Sequence, residues 1–559
     1  MKKTIYIILV FITVSMIACK DSYLDEKPLD KFSPENLLVN KAGFEAVIYA
    51  LHADARAEEL DKVPSMVCGT DIASFATSDG RYFNNYKEMT PTSEWVNQWW
   101  DWAYTKVIKD ANLVISRAEK PGIVWTVAEK NAIVAEAKFF RAYAYNSLVN
   151  LYGGVPIIKE ELTAPKYDFV RASRLDVLKF VEEDLDFAAL YLPNVPAVAV
   201  TSQQGRIFKA AANHLLSEVC ISLGRETGTN TYYTKAIAAA TKVIDGTCGE
   251  YKLMTTTFGT PKPSGGDVFS NLFWTGNINR SSGNKETIWA IQHEFTTPGG
   301  GSGANVNVRW WGPQFEQLKD ALGKPMLVND TLGRAAGAVR TTSYHLYDIW
   351  KSDWNDMRNS KFNIRRTWFW NNPTSPTYLG KQLKTIVEGG KTYILKLDGT
   401  KSTFVVDTLK QLFPMLRKVE GLMPQGPASG RTDNDQYRMR LAETYLLRAE
   451  AYILNTRPDL ALLDINVVRA RANAIPATLA DMTNDYILDE RARELTVEEH
   501  RRKTLCRMGL LVERVKKYRF SNRSQDIETY HQWWPIPQSA IDANLGAKLK
   551  QNSGYPGAE

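Results

Sequence analysis

The chain has 559 residues, with 69 Lys and Arg against 62 Asp and Glu for a formal net charge of +7. That length calls for more than one simple core, and so small a charge bias is no nucleic-acid signature. Hydrophobic residues at 44% and charged residues at 23% exclude a disordered chain, and a mean hydropathy of −0.31 excludes a multispanning membrane protein.

At the N-terminus, Lys2-Lys3 precede an almost unbroken apolar run from Ile5 to Val14, followed by Ser15-Met16-Ile17-Ala18-Cys19. A charged start, an apolar run too short to span and a small residue before the cut mark residues 1–18 as a secretory signal peptide. Its removal takes Lys2 and Lys3 away and leaves the mature chain at +5. Ala18-Cys19 resembles a bacterial lipoprotein signal, which implies lipid attachment at Cys19. Several acyl chains, at about 0.8 kcal/mol per buried CH₂, would hold the body at a membrane almost permanently. Cys68, Cys220, Cys248 and Cys506 show no CxxC or paired spacing. Isolated, partly buried thiols are the expectation, with all three pairings left open.

Helical periodicity then dominates two blocks. In Glu129 to Val149 the residues Ile133, Ala137, Phe140, Ala144 and Leu148 recur at three- and four-residue steps. Gln436 to Leu454 repeats the arrangement. A second short helix after Arg457-Pro458 places Leu460, Leu463, Val467 and Ala470 on its apolar face. Further helices are expected over Glu94 to Ala118, Arg174 to Leu192, Arg206 to Leu223 and Tyr232 to Asp245. Small residues facing large aromatics fit tetratricopeptide-like hairpins, whose units must stack to bury their faces. The fold class is therefore mainly α, with tetratricopeptide-like helical hairpins. Residues 250–430 differ: Gly265-Gly266, Pro298-Gly299-Gly300-Gly301 and Pro424-Gln425-Gly426-Pro427 break them into loops and short strands, yet they hold eight of the 15 Trp. The expected organisation is a signal peptide at 1–18, a helical part at 19–249, a loop-rich, Trp-rich insertion at 250–430 and a helical part at 431–559, in one integrated body.

The chain contains no H-E-x-x-H, G-x-S-x-G, G-x-x-x-x-G-K-[ST] or G-x-G-x-x-G. Its six His are scattered, so neither catalytic residue, metal ligand nor cofactor is expected, with structural calcium left open. The stretch Leu488 to Lys503 mixes charge signs at helical spacing. It predicts a structural helix with Glu498–Arg502 and Glu499–Lys503 as favourable i,i+4 pairs. Trp95, Trp99 and Trp102 step by four and three and are expected in the core. Candidate ligand contacts are Trp310 and Trp311 beside Gly-rich loops, Tyr82 with Asp79 and Arg81 in Asp79-Gly80-Arg81-Tyr82, Trp354 in Ser352-Asp353-Trp354-Asn355-Asp356, and Trp370 in Trp368-Phe369-Trp370-Asn371-Asn372. A flat ring suits the C–H face of a pyranose, while Asp, Asn and Arg satisfy its hydroxyls.

Five segments in order carry a family resemblance. They are Pro28-Leu29-Asp30-Lys31-Phe32, Arg440-Leu441-Ala442-Glu443-Thr444-Tyr445-Leu446-Leu447-Arg448-Ala449-Glu450-Ala451, Ile465-Asn466-Val467-Val468-Arg469-Ala470-Arg471-Ala472, Ile487-Leu488-Asp489-Glu490-Arg491-Ala492-Arg493-Glu494-Leu495 and Trp534-Pro535-Ile536-Pro537. Together they resemble the SusD/RagB family of Bacteroidetes outer-membrane lipoproteins. The resemblance implies four tetratricopeptide-like hairpins, a loop-rich ligand site and a position over a SusC-like TonB-dependent transporter. It implies an outer-membrane, lipid-anchored protein facing the cell exterior that binds glycan without catalysis; peptide capture and a glycosidase are the alternatives. It assigns no ligand-contacting residue.

Overall fold

The computed structural model describes residues 33–61, 63–76, 81–200, 203–295 and 304–558; the signal peptide and Cys19 lie outside them. Successive helices are α1 (Lys41–Asp61), the rod α2 (Glu94–Asp101, Trp102–Ile108 and Lys109–Arg117, π-helical in the middle), α3 (Val127–Tyr152) and α4 (Arg174–Tyr191). They continue as α5 (Lys209–Thr227), α6 (Asn230–Ile244), α7 (Leu441–Leu454), α8 (Pro458–Arg471), α9 (Asn484–Leu495), α10 (Arg501–Met508) and α11 (Leu511–Tyr518).

Helix α3 is the axis. Thr126 and Glu129 form a capping box: Thr126 Oγ1 accepts the Glu129 N–H at 3.2 Å and Glu129 Oε2 accepts the Thr126 N–H at 2.9 Å. From Ile133 onward nearly every side chain of α3 is buried, so neighbours must cover it on all sides. The pairs α1/α2, α3/α4, α5/α6 and α7/α8 are antiparallel hairpins stacked in that order, with α6 packing on α7 across the long intervening segment. Small residues set the spacing. A Cβ at Gly224 would stand 2.2 Å from the Tyr233 ring, which is how closely α5 meets α6. No helix among the described residues is long and apolar enough to cross a membrane.

The strands are β1 (Ala73–Phe75), β2 (Thr287–Ile291), β3 (Val339–Thr341), β4 (Ile364–Arg365), β5 (Thr385–Glu388), β6 (Lys391–Leu395), β7 (Lys401–Val406), β8 (Met415–Leu416) and β9 (Gln436–Arg440). All pair antiparallel, as β1–β3, β2–β9, β4–β8 and β5–β6–β7. In the β2–β9 ladder Thr287 lies opposite Arg440 and Ile291 opposite Gln436. Trp289 of β2 presses edge-on against Phe139, Phe140 and Tyr143 of α3, with centroids 5.6, 6.0 and 5.3 Å away, and so pins the loop-rich part to the helical axis. The tryptophans of residues 250–430 serve mainly as core: Trp274, Trp289, Trp311, Trp350, Trp368 and Trp370 are all buried.

Three local expectations are corrected. Residues 436–440 form β9 rather than the first turn of α7, because β2 supplies them with ladder partners. In α8 the supposed inward face points out: Leu463 is 63% exposed, whereas Asp464, Arg469 and Arg471 are buried. The inward face is rotated from the expected one and mixes apolar Ala461, Ile465 and Val468 with buried ions, Asp464 being paired to Arg448. The stretch 488–503 breaks between α9 and α10, and the expected i,i+4 pairs do not form. Glu498 instead accepts from Lys418 and Arg440, and Glu499 from Arg491.

These charges belong to a fully buried network. Glu494 accepts from Arg440 Nη1 at 2.7 Å and Arg358 Nη1 at 3.1 Å, and it also receives Arg471. Glu490 accepts from Arg358 at 2.7 Å, Arg493 at 2.7 Å and Arg469 at 2.9 Å. Glu286 of the β2 approach receives Arg440 and Arg471. Burial alone pushes the Glu490 carboxyl up, but Arg358, Arg493 and Arg469 overcome it and hold the group at about 2. The same balance, with Arg471, Arg440, Arg358 and Lys418, holds Glu494 well below the usual carboxylate range. Cys68, Cys220, Cys248 and Cys506 are free and buried, and burial pushes the Cys506 thiol up to about 12.

Glu494→Ala leaves three buried guanidiniums short of a partner and is expected to lower unfolding stability by about 3–5 kcal/mol, measured by urea titration. Because Glu490 and Glu494 are depressed in the folded state, their contribution is complete above the unfolded carboxylate value of about 4.3 and is lost as pH falls below it. A midpoint that stays flat from pH 6 to pH 2.5 would contradict the ionic account.

Candidate functional site

Loops of the 250–430 part enclose a cleft of about 740 Å³, lined by segment 354–369 with Ser264 and Arg417. That is within the range of small-molecule sites. Its wall is fixed from behind. Asp356 caps a short 3₁₀ turn, Met357–Asn359, by accepting the Arg358 N–H at 2.9 Å. Arg358 Nε and Nη2 then donate to the two Asp356 oxygens at 2.9 and 2.6 Å, while Nη1 reaches Glu490 and Glu494. The turn is thus clamped to the buried network. Asn359 Nδ2 donates to the Trp354 carbonyl at 2.8 Å, so the backbone of Trp354 is held while its ring stays 53% exposed.

Arg366 lies between two rings, its guanidinium carbon 5.0 Å from the Trp354 centroid and 5.5 Å from that of Tyr347. Its Nη2 donates to the Leu346 carbonyl and Asn359 Oδ1, each at 2.6 Å, and Nη1 to the Asn359 carbonyl at 3.2 Å. Burial lowers the pKa of Arg366 from its ordinary value, with Tyr347 opposing the shift. Phe369, 50% exposed, lines the same cleft, and Tyr347 is exposed beside Arg366. Beneath the cleft, burial pushes the Glu420 carboxyl up, and Lys262, Arg417 and Arg365 reverse that and hold it low. The result is a cleft of mixed polarity, its wall held by hydrogen bonds, rimmed by flat rings and lined by cations.

Of the sequence candidates whose side chains are described, Trp354 lies in this cleft and Tyr82, Trp310, Trp311 and Trp370 do not. Trp311 is buried at 2% exposure and offers no ring face to a ligand, because Gly312 and the preceding helix Asn307–Trp311 turn it into the core. Trp310 is half-buried against the same core. Tyr82 packs on Phe83 and Trp95 at 4.7 and 6.0 Å, its hydroxyl accepts the Trp95 N–H at 3.1 Å, and burial pushes that hydroxyl up to about 12. Arg81 opens the short helix Arg81–Asn84, its side chain outside the description; Asp79 lies outside the described residues. Trp370 is buried. Sequence reading missed Arg366, Tyr347 and Phe369. A signal for Phe369 was present: Trp368-Phe369-Trp370 alternates, and in extended chain two buried tryptophans turn the residue between them outward.

This architecture, a stack of helical hairpins carrying a loop-borne cleft, defines a class of binding scaffold. A model of the SusD family matches residues 285–555, and one described as starch-binding, associating with the outer membrane, matches residues 22–221. SusD-like protein P25 of Formosa agariphila is 23% identical over 98% of this chain and 99% of its own length. A SusD homolog from Bacteroides thetaiotaomicron superposes with a TM-score of 0.72 at 20% identity, covering 93% of this chain and 98% of its own. A laminarin-binding SusD-like protein superposes at 0.62 with 21% identity, over 92% of this chain and 100% of its own. The chain belongs to the SusD/RagB family.

All fifteen tryptophans are described, and Trp354 is the one that is exposed rather than buried or half-buried. Trp354→Phe is therefore expected to remove the largest share of acrylamide-quenchable emission, and Trp311→Phe to leave the quenchable fraction unchanged. Stern–Volmer titration distinguishes the two; equal losses would contradict the placement of these rings.

Proposed function

We propose that this protein is held at the outer membrane through lipid on Cys19, captures oligosaccharide in the Trp354 cleft and passes it to a SusC-like TonB-dependent transporter. The observation that carries this reading is the exposed rim of Trp354, Tyr347 and Phe369 over a cleft of about 740 Å³ with both apolar and polar lining. Flat rings stack on the apolar face of a pyranose, and Asn355, Ser360 and Lys361 offer hydrogen bonds to its hydroxyls. The family description as starch-binding, associating with the outer membrane, and the laminarin-binding relative support a saccharide over other ligands.

The cleft's lining supports binding without catalysis. Glycoside hydrolysis needs two carboxyl groups roughly 5–10 Å apart, one of them able to carry a proton. Among the described residues Asp356 is the single carboxylate lining this cleft, and both of its oxygens are occupied by Arg358. Ring stacking is assigned to Trp354 and Phe369 rather than to Trp311 or Tyr82.

Isothermal titration against plant, host and microbial polysaccharides tests the proposal. At least one is expected to bind, and Trp354→Ala to weaken it by about tenfold or more, equivalent to about 1.4 kcal/mol, with an unchanged melting curve. Silence across the panel would sink the saccharide reading, and sugar release by the purified protein would replace binding with hydrolysis.

A further inference from the structure

The Trp354 cleft carries more positive charge than its own carboxylates balance. Glu420 stands among three cations: Lys262 Nζ at 2.6 Å, Arg417 Nε at 2.7 Å and Arg365 Nη2 at 2.9 Å. One negative charge therefore answers three positive ones directly beneath the cleft, where Arg365 and Arg417 contribute to the lining. Asp356 adds no compensation, since Arg358 takes both of its oxygens, and Asp267, bonded by Ser360 Oγ at 2.6 Å behind the lining, returns one negative charge against Arg366 and Lys361. Arg366 is held only by carbonyl and amide oxygens, and Lys361 is exposed on the lining; among the described residues neither has a carboxylate in ion-pair contact. Arg366 Nη1 spends one of its two hydrogens on the Asn359 carbonyl, which leaves the other for a ligand. Like charges gathered in a half-buried concavity raise the local potential and draw in an anion.

We propose that the saccharide taken by this cleft is acidic, bearing carboxylate or sulfate ester groups. This inference rests on the saccharide reading above. The uncharged faces of the sugar stack on Trp354 and Phe369, and its anionic groups pair with Arg366 and Lys361. Guanidinium suits this task because its planar donors match the geometry of carboxylate and sulfate oxygens.

Matched pairs supply the test: oligogalacturonate against its fully methyl-esterified form, and sulfated carrageenan oligosaccharide against its desulfated form, titrated into the full mature chain. The expected result is that the charged member of at least one pair binds about tenfold or more tighter than its neutral partner, and that this advantage shrinks severalfold between 50 and 500 mM NaCl as screening shortens. The two arms separate carboxylate from sulfate recognition. Lys361→Ala, a change at an exposed position, is expected to weaken the charged member severalfold more than neutral maltoheptaose or laminarihexaose, because only the charged member loses an ion pair as well as a hydrogen bond; Arg366→Gln should act in the same direction. Equal binding within both pairs, neutral glycan bound while the charged ones are silent, or charged binding indifferent to both substitutions would overturn the acidic-ligand inference and leave the saccharide reading standing. Silence of every saccharide, charged and neutral, would remove both.

Discussion

Everything in this structure hangs from a buried carboxylate, Glu494, and the guanidiniums that converge on it. Arg440 comes from the end of β9, Arg471 from the end of α8 and Arg358 from the loop that walls the cleft. Three parts of the chain far apart in sequence are therefore held to one point by charge-assisted hydrogen bonds, with Glu490 and Glu286 doing the same beside it. A buried ion pair adds little net stability over a hydrophobic pair of equal volume, but losing one partner is costly. The value of the network lies in registration: an apolar interface tolerates sliding, whereas several directed Arg–Glu hydrogen bonds converging on one carboxylate accept one alignment.

That registration passes directly into the cleft. Arg358 binds the network with one nitrogen and Asp356 with the others, so the turn that orients Asn359 and Trp354 cannot move without disturbing Glu490 and Glu494. An exposed aromatic ring on a loop would ordinarily lose conformational entropy when a ligand arrives. Here the loop backbone is already ordered, which reduces that cost and leaves the ring free to present its face. The scaffold's contribution to recognition is thus rigidity at the base of a loop rather than contact with the ligand.

The helical stack was legible in the sequence because its code is periodic. The apolar steps of Ile133, Ala137, Phe140, Ala144 and Leu148 and the small residues of α5 and α6 predict elements that the structure contains, to within a few residues at the ends. Reading failed where burial is ionic. The α8 face carrying Leu463 looked like core and is exposed, since the interior is taken by Ala461, Ile465 and Val468 together with the paired Asp464, Arg469 and Arg471, which a hydrophobicity pattern scores as surface. Tryptophan misled for a related reason. Its abundance in residues 250–430 points equally to recognition and to packing, and there six of eight are core. Only the parity of Trp368-Phe369-Trp370 separates the two uses locally. The neighbours of Arg366 come from residues 346, 347, 354 and 359, a convergence of loops that no spacing rule encodes.

The pairing of β2 with β9 has a consequence for how such a protein diversifies. These two strands bring the ends of the stretch between them together at adjacent points, so the stretch leaves and re-enters through a zipped neck, with the β1–β3 ladder as a second tie to the body. Closing a longer or shorter excursion through that neck changes the chain entropy only logarithmically, by about 0.6 kcal/mol per doubling of length. Loops above the neck that do not reach back to the helical part, such as the β5–β6–β7 sheet, can thus be lengthened or trimmed, whereas the segments carrying β3 and Arg358 are held by Asp71, Glu490 and Glu494. A lineage built this way acquires new tastes by swapping the canopy, not by refounding the trunk.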